Sequence, residues 1–233
     1  MKKIIGVNPI IEAIHAGENI DKIEIFSNIK KDNIRNLLGL ASKKNIKIYY
    51  TKKRENNSQG VVAYLLEYNY YVTLEQFLEK ELIKDKSTIV VLDQIQDPRN
   101  FGAIIRSCEC FGVKGIIIQD RNNVKVTETV IKTSAGAIEY VDIIQVVNIS
   151  QALDKLKKYG YFIYATAGEA KINYNSVNYA DKSVLVVGNE GDGIRKKVRE
   201  HSDMIVKIPL KGKVNSLNVS VATGICLAEM NKE

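Results

Sequence analysis

From Ser87 onward the chain alternates short apolar runs with segments of helical period, and this alternation limits the fold more than any other feature. Strands are expected at 88–93, 115–119, 140–146, 161–166, 183–187 and 204–208. Helices are expected at 100–111, 127–137, 150–159, 193–201 and 217–230. Val184-Leu185-Val186-Val187 is apolar without interruption, so such a strand is covered on both faces. Strand and helix in strict alternation build a mostly parallel sheet with helices above and below it.

The first 70 residues form a smaller alternating pattern. Asn8 to Ala16 has helical spacing with a proline in its first turn, and Lys31 to Lys44 carries Ile34, Leu37, Leu38 and Ala41 at helical period. Ile20 to Ser27, Ile46 to Tyr50 and Gly60 to Leu66 read as strands, and Lys52 to Ser58 as a polar loop. This unit is near the minimum size that folds alone. Thr73 to Asp85 is charged and helical. The organisation expected is therefore an N-terminal α/β domain over 1–72, a linker helix over 73–86 and a larger α/β domain over 87–233.

Charge is unevenly placed. The 233 residues carry a net +7, yet residues 1–60 hold 12 Lys/Arg against 6 Asp/Glu, while the remainder is close to neutral. A basic segment on a neutral body suits a polyanion, although a lysine-rich solvated face is the simpler reading of charge alone. No apolar run reaches the roughly 18 residues needed to span a bilayer. The N-terminus lacks the apolar core of a signal peptide, so a cytoplasmic protein is expected. Cys108, Cys110 and Cys226 read as reduced, packed thiols, and with only His15 and His201 available no zinc site has ligands at plausible spacing.

Three segments concentrate polar residues where a scaffold would not need them. The first runs from Asp93 through Asp97-Pro98-Arg99-Asn100-Phe101-Gly102 to Arg106 and Ser107. Arg106 lies among Ile104, Ile105 and Cys108, where a long cation calls for an anion, such as Glu190 or Glu109, or a task. The second is Gly188-Asn189-Glu190-Gly191-Asp192-Gly193, directly after the apolar strand. Its spacing is G-x-x-G-x-G, not the dinucleotide pattern G-x-G-x-x-G, and its carboxylates would repel a pyrophosphate. A tight strand-to-helix turn also explains the glycines; an acidic loop suits a cationic or neutral ligand better. The third is Ile208-Pro209-Leu210-Lys211-Gly212-Lys213-Val214-Asn215-Ser216-Leu217-Asn218, leading into an apolar, small-residue helix. Ser216 or Asn218 serves as a helix cap; one cap does not account for both.

In that order, these segments resemble the three motifs of the SpoU family of RNA ribose 2′-O-methyltransferases, within the SPOUT superfamily. The resemblance covers the last two thirds of the chain strongly. It implies S-adenosylmethionine as cofactor, held around Gly188, Asn189, Gly193, Ile208, Leu210 and Leu217. It implies a catalytic set of Arg106, Asn100, Glu190, Ser216 and Asn218, with Arg106 as base or as a phosphate anchor. A guanidinium stays protonated at neutral pH, which favours the second role. It further implies a deep trefoil knot at the C-terminus, a homodimer, no metal, and a first domain similar to ribosomal RNA-binding proteins. Relatives often carry a histidine before Gln59; here it is Ser58. The domain order resembles enzymes acting on a guanosine of 23S ribosomal RNA. Transfer-RNA methyltransferases and antibiotic-resistance enzymes share the motifs. A non-catalytic RNA-binding assembly factor and a nucleotide-dependent oxidoreductase are the readings of other classes. The intact polar set argues against the former, the glycine spacing against the latter.

Overall fold

The computed structural model describes residues 3–18, 20–26, 29, 34–52, 60–65, 70–81, 84–189 and 191–232. Ser58, most of the 52–58 loop and Glu190 lie outside the described residues. The chain divides into two compact units, Met1–Asn69 and Tyr70–Glu233.

In the first unit, β1 (Lys3–Ile5), α1 (Val7–His15), β2 (Ile20–Phe26), α2 (Arg35–Lys43), β3 (Lys47–Thr51) and β4 (Val61–Leu65) follow in order. The sheet order is β1-β4-β2-β3, with only β2 and β3 parallel. One sheet face packs Ile23, Ile25, Val61 and Ala63 against Ile10, Ile14, Leu37 and Ala41 of the two helices. β1 is three residues long, too short for its period to register in the sequence.

The second unit contains β5 (Tyr71–Val72), α3 (Leu74–Glu81), β6 (Ser87–Asp93), α4 (Pro98–Cys110), β7 (Gly115–Gln119) and α5 (Glu128–Thr133). There follow β8 (Asp142–Val146), α6 (Ile149–Lys158), β9 (Phe162–Thr166), β10 (Ile172–Asn173), β11 (Lys182–Gly188), α7 (Lys196–Arg199), β12 (Met204–Lys207) and α8 (Val219–Met230). The sheet runs β10-β12-β9-β11-β6-β7-β8-β5 with every neighbouring pair parallel. Every residue of β6 is buried, as an apolar run at the centre of a two-faced sheet requires. Val90 and Leu92 face one core with Phe101, Ile104 and Cys108 of α4 and Cys226 and Leu227 of α8. Ile89 and Val91 face the other, with Phe77 and Leu78 of α3 and Leu153 and Leu156 of α6. Each buried side chain of this size stabilises by roughly 1.5–3 kcal/mol.

Several elements depart from the sequence expectation. The helix expected as a linker is a wall of the second unit: Phe77 and Leu78 are buried in its core, and β5 pairs with β8. α5 stops at Thr133 instead of 137, because Ala135 and Gly136 take φ of 51° and 89°. The helix expected over 193–201 shrinks to Lys196–Arg199, since Arg195 stays extended and bonds its N–H to β6. Cys110 is exposed at the end of α4, whereas Cys108 and Cys226 are buried as expected. Two positions separate Cys108 from Cys110, and on a helix that spacing points them to different sides.

Candidate active site at the carboxyl ends of the strands

From β6 the chain moves outward through β7 to β8, and β11 returns on its other side. Neighbouring strands whose connections leave in opposite directions open a crevice at their carboxyl ends. A cavity of about 180 Å³ lies at this end of the sheet. Thr166 at the end of β9, Gly188 at the end of β11 and Lys207 at the end of β12 border it, and residues 215–217, 219 and 222 close it. All six residues expected at the cofactor line it: Gly188, Asn189, Gly193, Ile208, Leu210 and Leu217.

The 188–195 loop crosses itself. Asn189 and Gly193 exchange backbone hydrogen bonds of 3.1 and 2.9 Å, and Gly193 has φ 68°. A Cβ on Gly188 would sit 2.1 Å from the Gly193 carbonyl carbon and 2.2 Å from its oxygen, so only glycine permits this crossing. The Asn189 side chain accepts from Gly191 N at 2.8 Å and donates to the Gln94 carbonyl at 3.0 Å. At the far end of the loop Arg195 grips Asp93, which is completely buried. Its backbone N donates to Asp93 Oδ2 at 2.8 Å and its Nε to Oδ1 at 2.7 Å, and the same guanidinium donates to Gln119 Oε1 at 2.8 Å. A buried carboxylate demands such charge-assisted bonds. Sequence reasoning gave Asp93 no role of its own and passed over Gln119 and Arg195. The available signal was an aspartate ending an otherwise apolar strand, which must find a cation.

Asn100 and Asn218 meet at the other edge. Asn218 Nδ2 donates to Asn100 Oδ1 at 2.9 Å, while Asn218 Oδ1 accepts from Ser220 N at 2.9 Å and caps α8. Of the two cap candidates, Asn218 is the one used, and the same side chain makes the contact to Asn100. Ser216 lines the main cavity, and Asn100 lines a smaller one of about 170 Å³ that shares Asn189 and Val219 with it.

Comparison with known proteins decides what this arrangement belongs to. Residues 87–228 match the SpoU rRNA methylase family, and residues 3–71 match the substrate-binding domain of RNA 2′-O ribose methyltransferases. The chain belongs to the SpoU family. A Staphylococcus saprophyticus protein named as a TrmH family tRNA/rRNA methyltransferase is 36% identical over 97% of this chain and 94% of its own. The SpoU methyltransferase AviRb from Streptomyces viridochromogenes, solved with the cofactor AdoMet, has the same fold at TM-score 0.65 and 21% identity, covering 98% of this chain and 88% of its own. The TrmH/SpoU tRNA modifying enzyme of A. aeolicus is 34% identical, with TM-score 0.58, over 68% of this chain and 82% of its own.

S-adenosylmethionine is the methyl donor of the SpoU family, and the cavity suits it. Val187, Ile208, Leu210 and Leu217 offer apolar walls for a planar ring, and the bare Gly188 lets backbone approach closely. Not every expected SpoU residue joins this site. Arg106 is exposed, on the stripe of α4 that also carries Arg99, Ala103 and Cys110, and it lines neither cavity. Among the described residues it forms no ion pair, so the alternative of a partner in Glu109 is not met, while Glu190 lies outside them; the apolar surroundings inferred from sequence belong to the opposite face of the helix. His201 Nδ1 lies 2.7 Å from Asp154 Oδ1, within hydrogen-bonding distance, and does not line the cavity. Burial pushes the Cys226 thiol up to about 12 and raises Cys108 as well, so neither is a nucleophile. Among the described residues no three His, Cys, Asp or Glu side chains cluster as metal ligands, and no helix is long and apolar enough to cross a membrane.

Proposed function

We propose that this SpoU protein methylates the ribose 2′-hydroxyl of a guanosine in 23S ribosomal RNA. The observation that carries the reading is the meeting of Gly188, Ile208, Ser216 and Leu217 around one cavity, beside a smaller one lined by Asn100, to which Asn218 donates. The ribosomal target is supported by the extent of the matches. Likeness to the tRNA-modifying enzyme covers 68% of the chain, whereas likeness to a structure named as an rRNA methyltransferase, from Sinorhizobium meliloti, covers 98% and so includes the first unit. Transfer RNA is the second reading, favoured by the 34% identity to that enzyme and by relatives named for both RNAs.

S-adenosylmethionine supplies an electrophilic methyl group. The chain supplies position and charge. Gly188, Asn189 and Gly193 hold the donor against Ile208, Leu210 and Leu217. Asn218, fixed by its cap bonds, orients Asn100 and with Ser216 aligns the ribose. Arg106 holds the adjoining phosphate, the role its permanent charge suits. Its place on the outer face of α4 supports delivery into the site of a second copy, so the active form is a homodimer. Val221, half exposed on α8, and the exposed Ala228 about two turns along supply apolar surface for that pairing. α8 threads the preceding loop to complete a trefoil knot, and the first unit delivers the RNA.

The test is a map of ribose methylation on total RNA from a deletion strain. Loss of one 23S guanosine methylation, restored by the wild-type gene, is expected. Loss of a tRNA methylation instead selects the second reading, and an unchanged map sinks both. The gene for Arg106→Ala should restore roughly a hundredfold to a thousandfold less turnover, with unchanged melting temperature because the residue is exposed.

A further inference from the structure

The face of the first unit's sheet turned away from α1 and α2 carries a pattern that folding does not require. In register, Lys3 stands opposite Tyr64, Tyr64 opposite Lys22, and Lys22 opposite Lys47. One level across all four strands therefore reads Lys-Tyr-Lys-Lys. The next level reads Ile5, Val62, Glu24 and Tyr49. These residues alternate with Ile4, Ala63, Ile23 and Ile48, which face α1 and α2. Lysines directly opposite on neighbouring strands repel and weaken a sheet. Stability alone would favour mixed charges here.

The aromatic rings organise the lysines. Lys3 Nζ lies 5.2 Å and Lys22 Nζ 4.5 Å from the Tyr64 ring centre, and Lys22 Nζ is 5.8 Å from that of Tyr49. Ring faces attract ammonium groups and hold them in place. Glu24 opposes the lysines: it accepts from Lys22 at 2.7 Å and from the Tyr64 hydroxyl at 3.0 Å. The hydrogen bond from Lys22 holds the Glu24 carboxyl below the usual range. Lys22 and Lys47 stand side by side on neighbouring strands, and Lys47 is exposed. The Tyr49 ring is 51% exposed beside them.

We propose that this face binds single-stranded RNA, with Tyr49 stacked on a base and Lys3, Lys22 and Lys47 set along the phosphates. The inference rests on RNA being the substrate and deepens that reading by naming the surface and the chemistry of contact. Rings presented flat on a sheet reach unstacked bases, which a duplex does not offer. Lysines in a line track a phosphate backbone and give binding its salt dependence.

Fluorescence anisotropy with the full chain, a labelled short oligouridylate and a duplex RNA of equal length tests this. Wild type should prefer the single strand. Tyr49→Ala should weaken oligouridylate binding by about fivefold or more, the scale of one lost stacking contact, while Tyr49→Phe keeps it. Lys47→Gln should reduce the slope of log affinity against log salt by about 0.7. Thermal melts confirm that the variants fold. Equal affinity in wild type, Tyr49→Ala and Lys47→Gln overturns the proposal, as does preference for the duplex. A change of sedimentation coefficient in the variants without a change in RNA affinity also overturns it, because the face then pairs copies of the chain. If the variants are silent while ribose methylation in the deletion strain is restored, only this surface fails. If wild type neither binds RNA nor restores methylation, the functional reading fails with it.

Discussion

The two loops that border the cavity are held in opposite ways. The 188–195 loop is pinned from below: Arg195 closes on the buried Asp93, and Asn189 ties it to Gln94 and to itself. The 208–218 loop is exposed from Pro209 to Ser216, and among the described residues no backbone–backbone hydrogen bond uses residues 208–217. It is secured at its ends, by β12 and by the Asn218 cap. A wall without internal hydrogen bonds opens at low free-energy cost, while a wall fixed by a buried ion pair does not. A site that must admit both a small donor and a large RNA is served by this division, with one side setting position and the other adapting.

The largest effect should come from cutting the pin. Arg195→Ala leaves the Asp93 carboxylate buried without its cation and should destabilise the protein by about 3–5 kcal/mol, measured by urea unfolding. Adding Asp93→Asn should recover part of that loss. A stable Arg195→Ala protein would mean that water reaches Asp93 and that the two loops do not differ as described.

Gly188→Ala should come next. The new Cβ meets backbone, which has nowhere to move, and strain of about 1–3 kcal/mol displaces the loop. Calorimetry should find S-adenosylmethionine binding weakened by roughly tenfold to a hundredfold. Unchanged affinity would remove the 188–193 crossing from the binding site.

The open loop supplies the contrast. A Cβ on Gly212 has only Val214 N nearby, at 4.0 Å. Gly212→Ala should therefore change stability by less than about 0.5 kcal/mol and leave donor binding intact. A loss comparable to that of Gly188→Ala would break the comparison.

The smallest effect concerns reactivity. Thiolate is the reactive form, and a thiol raised to about 12 stays protonated at mildly alkaline pH. Iodoacetamide followed by mass spectrometry should label Cys110 in the native protein and spare Cys108 and Cys226. If Cys226 on α8 labels before Cys108 on α4, opening of the 208–218 loop propagates into the helix that follows it.

Continuous apolar runs made the six central strands legible, because a strand buried on both faces needs no periodicity to be seen. β1, β5 and β10 were not legible. They are three, two and two residues long, and what defines them is a partner strand. α7 shows the converse limit: its expected length yielded to the bond from Arg195 N to Asp93.

The sequence by itself determined which residues are chemically unusual for a scaffold: the glycine loop, the paired Ser216 and Asn218, and an arginine on an apolar-looking helix. It also determined that the centre of the larger unit is a parallel sheet. Tertiary structure alone decided which of these residues meet. Asn100 and Asn218 are 118 positions apart, and Asp93 and Arg195 are 102 apart. Their contacts exist because strand order places β6 beside β11 and lays α8 against α4. Arg106, close in sequence to Asn100, faces away from it because six residues along a helix turn a side chain to another side. Local sequence sets which face of an element is apolar; the order of elements in the sheet sets what stands opposite.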